Sequence, residues 1–399
     1  MSTSASYDVV VVGTGIAGLA TALALARQRL RVGLLGPRPT LPAATGQFDP
    51  RVYALSPASR QLLTELGAWH AMPAERLTTV EAMAIAGDAG GQLDLHAWQA
   101  GQSHLADIVE ATELERALRN ALQVFGVPWH TARFTGMLQQ PHATGLRVHT
   151  DGTDTLHTTL LVAADGANSP VREAAGLTVH QRTYDAIGLV AHFTSALPHQ
   201  GVARQWFTPT GILALLPLPD TRDGHQVSMV WSLRRQPATD LLALPQPQQA
   251  TTLAEQLGSI TQQALGSLQL RGGVQGFGLQ VQYAPRRVQS QLALLGDAAH
   301  VVHPLAGQGL NLGLGDVQAL AQVLAEREPW RSPGDERLLR RYQRARAESL
   351  AAMRLATDGL YHLFDAPLPP LAWLRNTGMR ALNVIPGLKR HLILQASRF

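Results

Sequence analysis

The chain has 399 residues, 45% hydrophobic and 16% charged, enough to bury a large core over one to three domains. It contains no cysteine, which excludes disulfides, thiolate metal sites, iron–sulfur clusters and cysteine nucleophiles. The net charge of +4 is uneven: residues 371–399 carry Arg375, Arg380, Lys389, Arg390 and Arg398 and no acid, leaving 28 basic and 29 acidic residues, a net of −1, before them; no broad basic surface remains for nucleic acid.

Met1–Ser6 is too short and polar for a signal peptide. Tyr7–Val12 reads as a buried strand, Ile16–Arg29 as an Ala- and Leu-rich helix, and Arg31–Leu35 as a second strand. This βαβ opening predicts a parallel α/β sheet. Residues 55–69 and 107–124 suit helices, and Leu160–Ala164 is a further strand. From 180 to 285 the pattern alternates, with Gly211–Leu218 and Val227–Leu233 as strands of a mixed sheet. Segment 236–250, rich in proline and glutamine, reads as a surface loop. Gln291–Leu295 is a last strand, and 309–325 and 336–364 are helical, followed by a helical C-terminal segment. Neither Ile16–Leu25 nor Ala293–Leu314 offers the roughly 20 uninterrupted apolar residues of a membrane span.

Gly13-Thr14-Gly15-Ile16-Ala17-Gly18 fits G-x-G-x-x-G between a strand and a helix. The first glycine allows the tight turn, the second lets backbone approach a pyrophosphate, and the third lets helix pack on strand. The acid expected about 20 residues on, for the ribose hydroxyls, is missing. Gly36 stands in its place, with Arg38 nearby. This loop alone leaves FAD and NADP both open.

Two distant segments separate them. One is Asp165-Gly166-Ala167-Asn168-Ser169-Pro170-Val171-Arg172; the other is Gly296-Asp297-Ala298-Ala299-His300, continuing through His303, Pro304, Gly307, Gln308, Gly309 and Leu310 to Asn311. Here the chain resembles the flavoprotein aromatic hydroxylases (group A, p-hydroxybenzoate-hydroxylase-like monooxygenases), most of all the ubiquinone-biosynthesis hydroxylase family. Asp49–Ser56 and Arg341–Arg346 match that family too, and the likeness runs from about residue 7 to 365.

The resemblance implies an α/β fold: a Rossmann-type FAD-binding domain, an inserted mixed-sheet substrate domain and C-terminal helices. The expected division gives FAD-binding parts at 1–70, 106–178 and 286–335, substrate parts at 71–105 and 179–285, and a helical region at 336–399. It implies FAD as cofactor and NADH or NADPH as transient reductant, through a C4a-hydroperoxyflavin. FAD would meet Gly13, Gly15, Ile16, Ala17, Gly18, Arg51, Asp165, Gly166, Gly296, Asp297 and the run from Pro304 and Gly307 through Gln308, Gly309, Leu310 and Asn311. Asp297 can accept from a ribityl hydroxyl, and the helix opening at Gly307–Asn311 offers free amides and partial positive charge to reduced flavin. Pro304 and Gly307 are expected on the flavin face, with no conventional acid–base residue. His300 and His303 are expected to shape that loop, not to bind metal.

The implied substrates are O2 and a phenol on an isoprenoid tail, hydroxylated on the route to ubiquinone. The expected location is cytoplasmic, peripheral at the inner face of the cytoplasmic membrane, with the basic tail touching a membrane or a biosynthetic complex. The alternatives are a hydroxylase of a small soluble aromatic or natural product, and a non-catalytic flavin-binding assembly protein. A long apolar pocket favours the isoprenoid substrate; a small one with a cationic anchor favours a benzoate.

Overall fold

The computed structural model describes residues 5–41, 48–88, 90–139, 145–152, 155–302, 308–365 and 369–397. Near-continuous apolar runs suit strands covered on both faces. Strand Ala5–Val12 pairs in parallel with Val32–Leu35 on one side and Thr155–Ala163 on the other, with Val12 opposite both Leu35 and Ala163. Trp129–His130 and Leu292–Leu294 extend the parallel order outwards. Side chains alternate across the sheet. Val9 and Val11 join Leu19, Leu114 and Leu314 of helices Ile16–Arg27, Ala111–Val124 and Gly309–Ala325. Val10 and Val12 join Leu146, Val148 and Val171 on the opposite face.

A second sheet runs in the order His300–Val301, Leu268–Tyr283, His180–Ser195, Gly224–Arg234, Gly211–Thr221, Val202–Thr208, Ala82–Ala86, Gln92–His96. Its pairs are antiparallel except Val202–Thr208 with Ala82–Ala86, so it is the mixed sheet the alternation predicts. The period of two sorts its faces. Leu189, Phe193, Leu213, Leu215, Met229 and Trp231 are buried in one cluster with Leu241 and Leu253 of helices Arg235–Ala243 and Gln246–Thr261. Val190, Val230, Ala214 and Gln205, each opposite the next, form one cross-strand row on the other face. A small sheet of Val52–Leu55, Ala106–Glu110 and Thr78–Val80 completes the architecture.

Three local expectations change. Residues 107–110 form strand rather than helix: β-branched Ile108 and Val109 pair with Val52–Leu55, and the helix starts at Ala111. Segment 236–250 is not a loop but parts of two helices; Pro237 and Pro247 occupy first turns, where a missing amide costs nothing. The long helix at 336–364 is two, Glu336–Ala345 and Ala347–Asp365, parted at Arg346.

Helices Pro369–Val384 and Pro386–Ala396 lie against strand Gln92–His96 and the turn after it. Asn376 Oδ1 accepts from Gly91 N at 2.8 Å, Asn383 Oδ1 from Asp94 N at 3.1 Å, and Ser397 Oγ donates to Gln102 at 2.9 Å. The basic tail is thus anchored on its own chain through one side.

Candidate active site

A cavity of about 930 Å³ runs along the carboxyl ends of the parallel strands and reaches the mixed sheet. The sheet order sets four strand ends in a row, at Gly36, Gly13, Asp165 and Gly296, and all four line it. Open α/β sheets bind their ligands in this crevice.

The glycine fingerprint behaves as its spacing requires. Gly13 has φ +114°, and a Cβ there would collide with the Ala164 carbonyl. A Cβ on Gly18 would strike the Gly13 carbonyl, so the third glycine sits behind the wall and sets how closely helix meets strand. A Cβ on Gly15 would meet nothing within 4 Å; its backbone, with Gly13, Ile16 and Ala17, faces the cavity.

Arg51 reaches the cavity from a braced turn. Asp49 accepts from Arg51 N at 2.8 Å and from the Thr112 amide and hydroxyl, while Ala111 N donates to Arg51 O at 2.9 Å. The half-exposed Arg51 guanidinium lies 3.8 Å from Asp49 and 3.9 Å from Glu115. Asp165 accepts from Val171 N at 3.2 Å through Oδ2, while its Oδ1 is buried with no partner. Burial raises the Asp165 carboxyl, and bonds from Ser169 and Val171 N pull it back. Arg172 donates to Ala167 O and Ala298 O, each at 2.9 Å, tying the Asp165–Gly166 loop to the Gly296–Asp297 loop.

Asp297 sits in a tight turn, Gly296–Ala298, beyond strand Leu292–Leu294. Its side chain is open towards the cavity yet surrounded by protein; that desolvation raises its carboxyl, and His300 lowers it. Gly309 and Leu310, in the first turn of helix Gly309–Ala325, line the cavity beside Gly166 and Gly296. Gln308 and Asn311 do not. Asn311 is spent on structure: it donates to Ala54 O and Gln308 Oε1 at 2.9 Å each and accepts from Ser56 N at 3.0 Å. His303, Pro304 and Gly307 lie outside the described residues.

Sequence reasoning missed what holds this end in place. Asp316 is wholly buried; it accepts from Gly296 N at 3.0 Å and Arg346 Nε at 2.7 Å and lies 2.6 Å from His300 Nε2. Arg346 also donates to Leu312 O at 3.0 Å, and Tyr342 donates to Leu294 O at 2.9 Å. The Arg341–Arg346 segment carried the signal, but not its target thirty residues upstream.

An unpartnered carboxylate oxygen at Asp165, an open backbone at Gly15 and a carboxylate aimed into the cavity at Asp297 fit an extended dinucleotide rich in hydroxyl donors. Fold and site define a dinucleotide-binding oxidoreductase. The FAD-binding domain family matches residues 6–356. Ubiquinone hydroxylase UbiL of Rhodospirillum rubrum is 33% identical over 393 residues, covering 96% of this chain and 87% of that protein. The 3-demethoxyubiquinol 3-hydroxylase of Escherichia coli K12 is 33% identical over 405 residues, covering 99% of each. The p-nitrophenol 4-monooxygenase of Pseudomonas putida DLL-E4 has the same fold, with a TM-score of 0.78 at 17% identity over 100% of this chain and 99% of that one. The chain belongs to the ubiquinone-biosynthesis hydroxylase family of FAD-dependent monooxygenases; its cofactor is FAD.

The buried cluster sets an acid dependence. Burial alone would raise the Asp316 carboxyl, but His300 and Arg346 bring it down to about 2 from the usual 3.8. A lowered carboxylate stabilises the fold above its unfolded value and loses that contribution as pH falls through its folded one. Stability should therefore drop by about 2 kcal/mol between pH 4 and 2. Asp316→Asn should cost about 3–5 kcal/mol at pH 7, because Arg346 stays buried without its charge partner, and should flatten that acid limb in urea titrations.

Proposed function

We propose that this enzyme hydroxylates the aromatic ring of a polyprenyl phenol in ubiquinone biosynthesis, using O2 and NADH or NADPH. The polarity of the cavity wall carries this reading. Arg51, Glu115, Arg133, Asp165 and Asp297 line the cavity from outside the mixed sheet. The mixed-sheet wall is Met83, Val190, Ala214, Leu216, Val230 and Phe277, with Gln205 its one polar side chain among the described residues. Such a wall has no cation to offset the desolvation of a substrate carboxylate. It suits an apolar phenol, and the Gln205 amide can donate to or accept from a ring oxygen. The hydroxylase activities of the two relatives at 33% identity agree.

Bound FAD supplies the passage of reducing equivalents from NAD(P)H to dioxygen and delivery of one oxygen atom to the ring. The protein binds, orients and excludes water. The turn at Gly13–Ala17 and the N-terminus of helix Ile16–Arg27 would receive the pyrophosphate, Arg51 would offset its charge, and Asp165 would accept from a hydroxyl of the cofactor. Asp297 would accept from a ribityl hydroxyl, and the free amides at Gly309 and Leu310 would offer partial positive charge to the reduced isoalloxazine. The apolar wall keeps the ring dry.

The tail adds a membrane contact to this reading. No helix among the described residues is long and apolar enough to cross a membrane. Val384, Ile385, Leu388 and Leu392 are exposed, as are Arg380 and Arg390, and no acid occurs in the tail. Leu388 and Leu392 share a helix face, and Trp98, 72% exposed, lies on the neighbouring turn. Apolar side chains flanked by arginine suit the surface of an anionic bilayer, which would hold the enzyme at the inner face of the cytoplasmic membrane.

Substrate-dependent NAD(P)H oxidation tests the main reading: a prenylated phenol should stimulate it. Stimulation by a small benzoate alone would overturn the substrate class, and no stimulation by any phenol would favour an assembly role. Asp297→Ala should weaken FAD retention by about tenfold or more, measured by flavin fluorescence during dialysis. Replacing Leu388 and Leu392 together by Asp should cut co-sedimentation with phosphatidylglycerol vesicles about tenfold without altering FAD content.

A further inference from the structure

Strand Val32–Leu35 ends without the acid that dinucleotide folds keep there for the ribose hydroxyls, and the backbone shows why position 36 does not carry one. Gly36 has φ +143°, which strains any L side chain, and a Cβ there would lie 3.0 Å from Thr14 Cγ2. Its carbonyl accepts from Trp129 Nε1 at 3.0 Å and its amide donates to His130 O at 2.9 Å, which fixes that conformation. Arg38, the neighbouring cation, stacks over Trp129 at 5.1 Å and does not line the cavity.

We propose that Glu115 supplies the missing carboxylate, accepting hydrogen bonds from the adenosine ribose hydroxyls of FAD. Glu115 lines the cavity together with Gly36 and Pro37. It projects from helix Ala111–Val124, one turn before Arg119, whose guanidinium donates to Pro39 O at 2.7 Å. That bond pins the helix beside the loop that follows Gly36. The Glu115 carboxylate lies 3.5 Å from Arg119 and 3.9 Å from Arg51, spacings that leave lone pairs for further donors. The other two carboxylates that line the cavity among the described residues, Asp165 and Asp297, follow strands on the opposite side of Ala5–Val12. Burial raises the Glu115 carboxyl, and the two arginines pull it back; partial desolvation strengthens the bonds such a group accepts.

The inference rests on FAD occupying this cavity, and its test separates the two claims. Apoprotein is titrated, by quenching of flavin fluorescence, with FAD and with an FAD analogue whose adenosine lacks both ribose hydroxyls. The wild-type chain should prefer FAD by roughly tenfold or more. Glu115→Ala should lose most of that preference, weakening FAD while leaving the analogue's affinity unchanged; Glu115→Gln should fall between. Equal wild-type affinity for the two ligands overturns the proposal without any mutation. A variant that weakens both ligands alike, as loss of Arg51 alignment at the pyrophosphate would, or that weakens neither, also overturns it. Failure of the wild-type chain to bind FAD at all would instead refute the occupancy of the cavity.

Discussion

A carboxylate removed from water must find donors for its lone pairs and a balancing charge. Asp316 finds both, and the flavin end of the molecule is built around it. Its donors come from the turn that closes strand Leu292–Leu294 and from the break between two helices, with His300 alongside. Since one donor is the amide of Gly296, the same bond that satisfies Asp316 fixes the residue before Asp297. Arg172 then carries the restraint sideways, bonding the loop after one strand to the loop after the next. Two of the four strand ends, those at Asp165 and Gly296, are therefore tied into one shelf.

Against this shelf stands a wall of opposite character. The mixed sheet turns one set of alternating side chains into a helix-covered core and the other into the cavity. The two sides of the site therefore differ in kind: one offers backbone amides and ionisable groups, the other aliphatic surface broken by a single amide. A molecule with a charged, hydroxyl-rich half beside an apolar ring matches that division. The chemistry resides in the cofactor, and the protein's part is to keep these two environments in contact.

Much of this was legible in the sequence where the determinants are local. Gly13 to Gly18 specify a turn, a helix start and a close packing distance within six residues, and alternation over 180–285 announced the mixed sheet. Reading failed where long-range pairing decided. Ile108 and Val109 look helical beside Leu114 and Leu118 until strand Val52–Leu55 claims them. The prolines at 237 and 247 look like loop signals unless the helix start is known. Glu115 lies on an amphipathic helix where an acid is ordinary, and Asp316 is the single acid of a largely apolar one; only the fold brings one to the cavity and the other to Arg346. The absent acid at Gly36 was visible, but its backbone cause was not.

The two asparagines of the tail have a further consequence. Strand Gln92–His96 is the last of its sheet, and a terminal strand exposes amides that can recruit a strand from another molecule. Asn383 occupies the Asp94 amide and Asn376 the amide just before the strand, and the helix carrying both lies along that border. The tail thus guards an otherwise adhesive margin. A chain cut short before residue 369 would keep every group of the shelf and wall yet gain a surface primed for self-association, so its solubility would fail while its site remained intact.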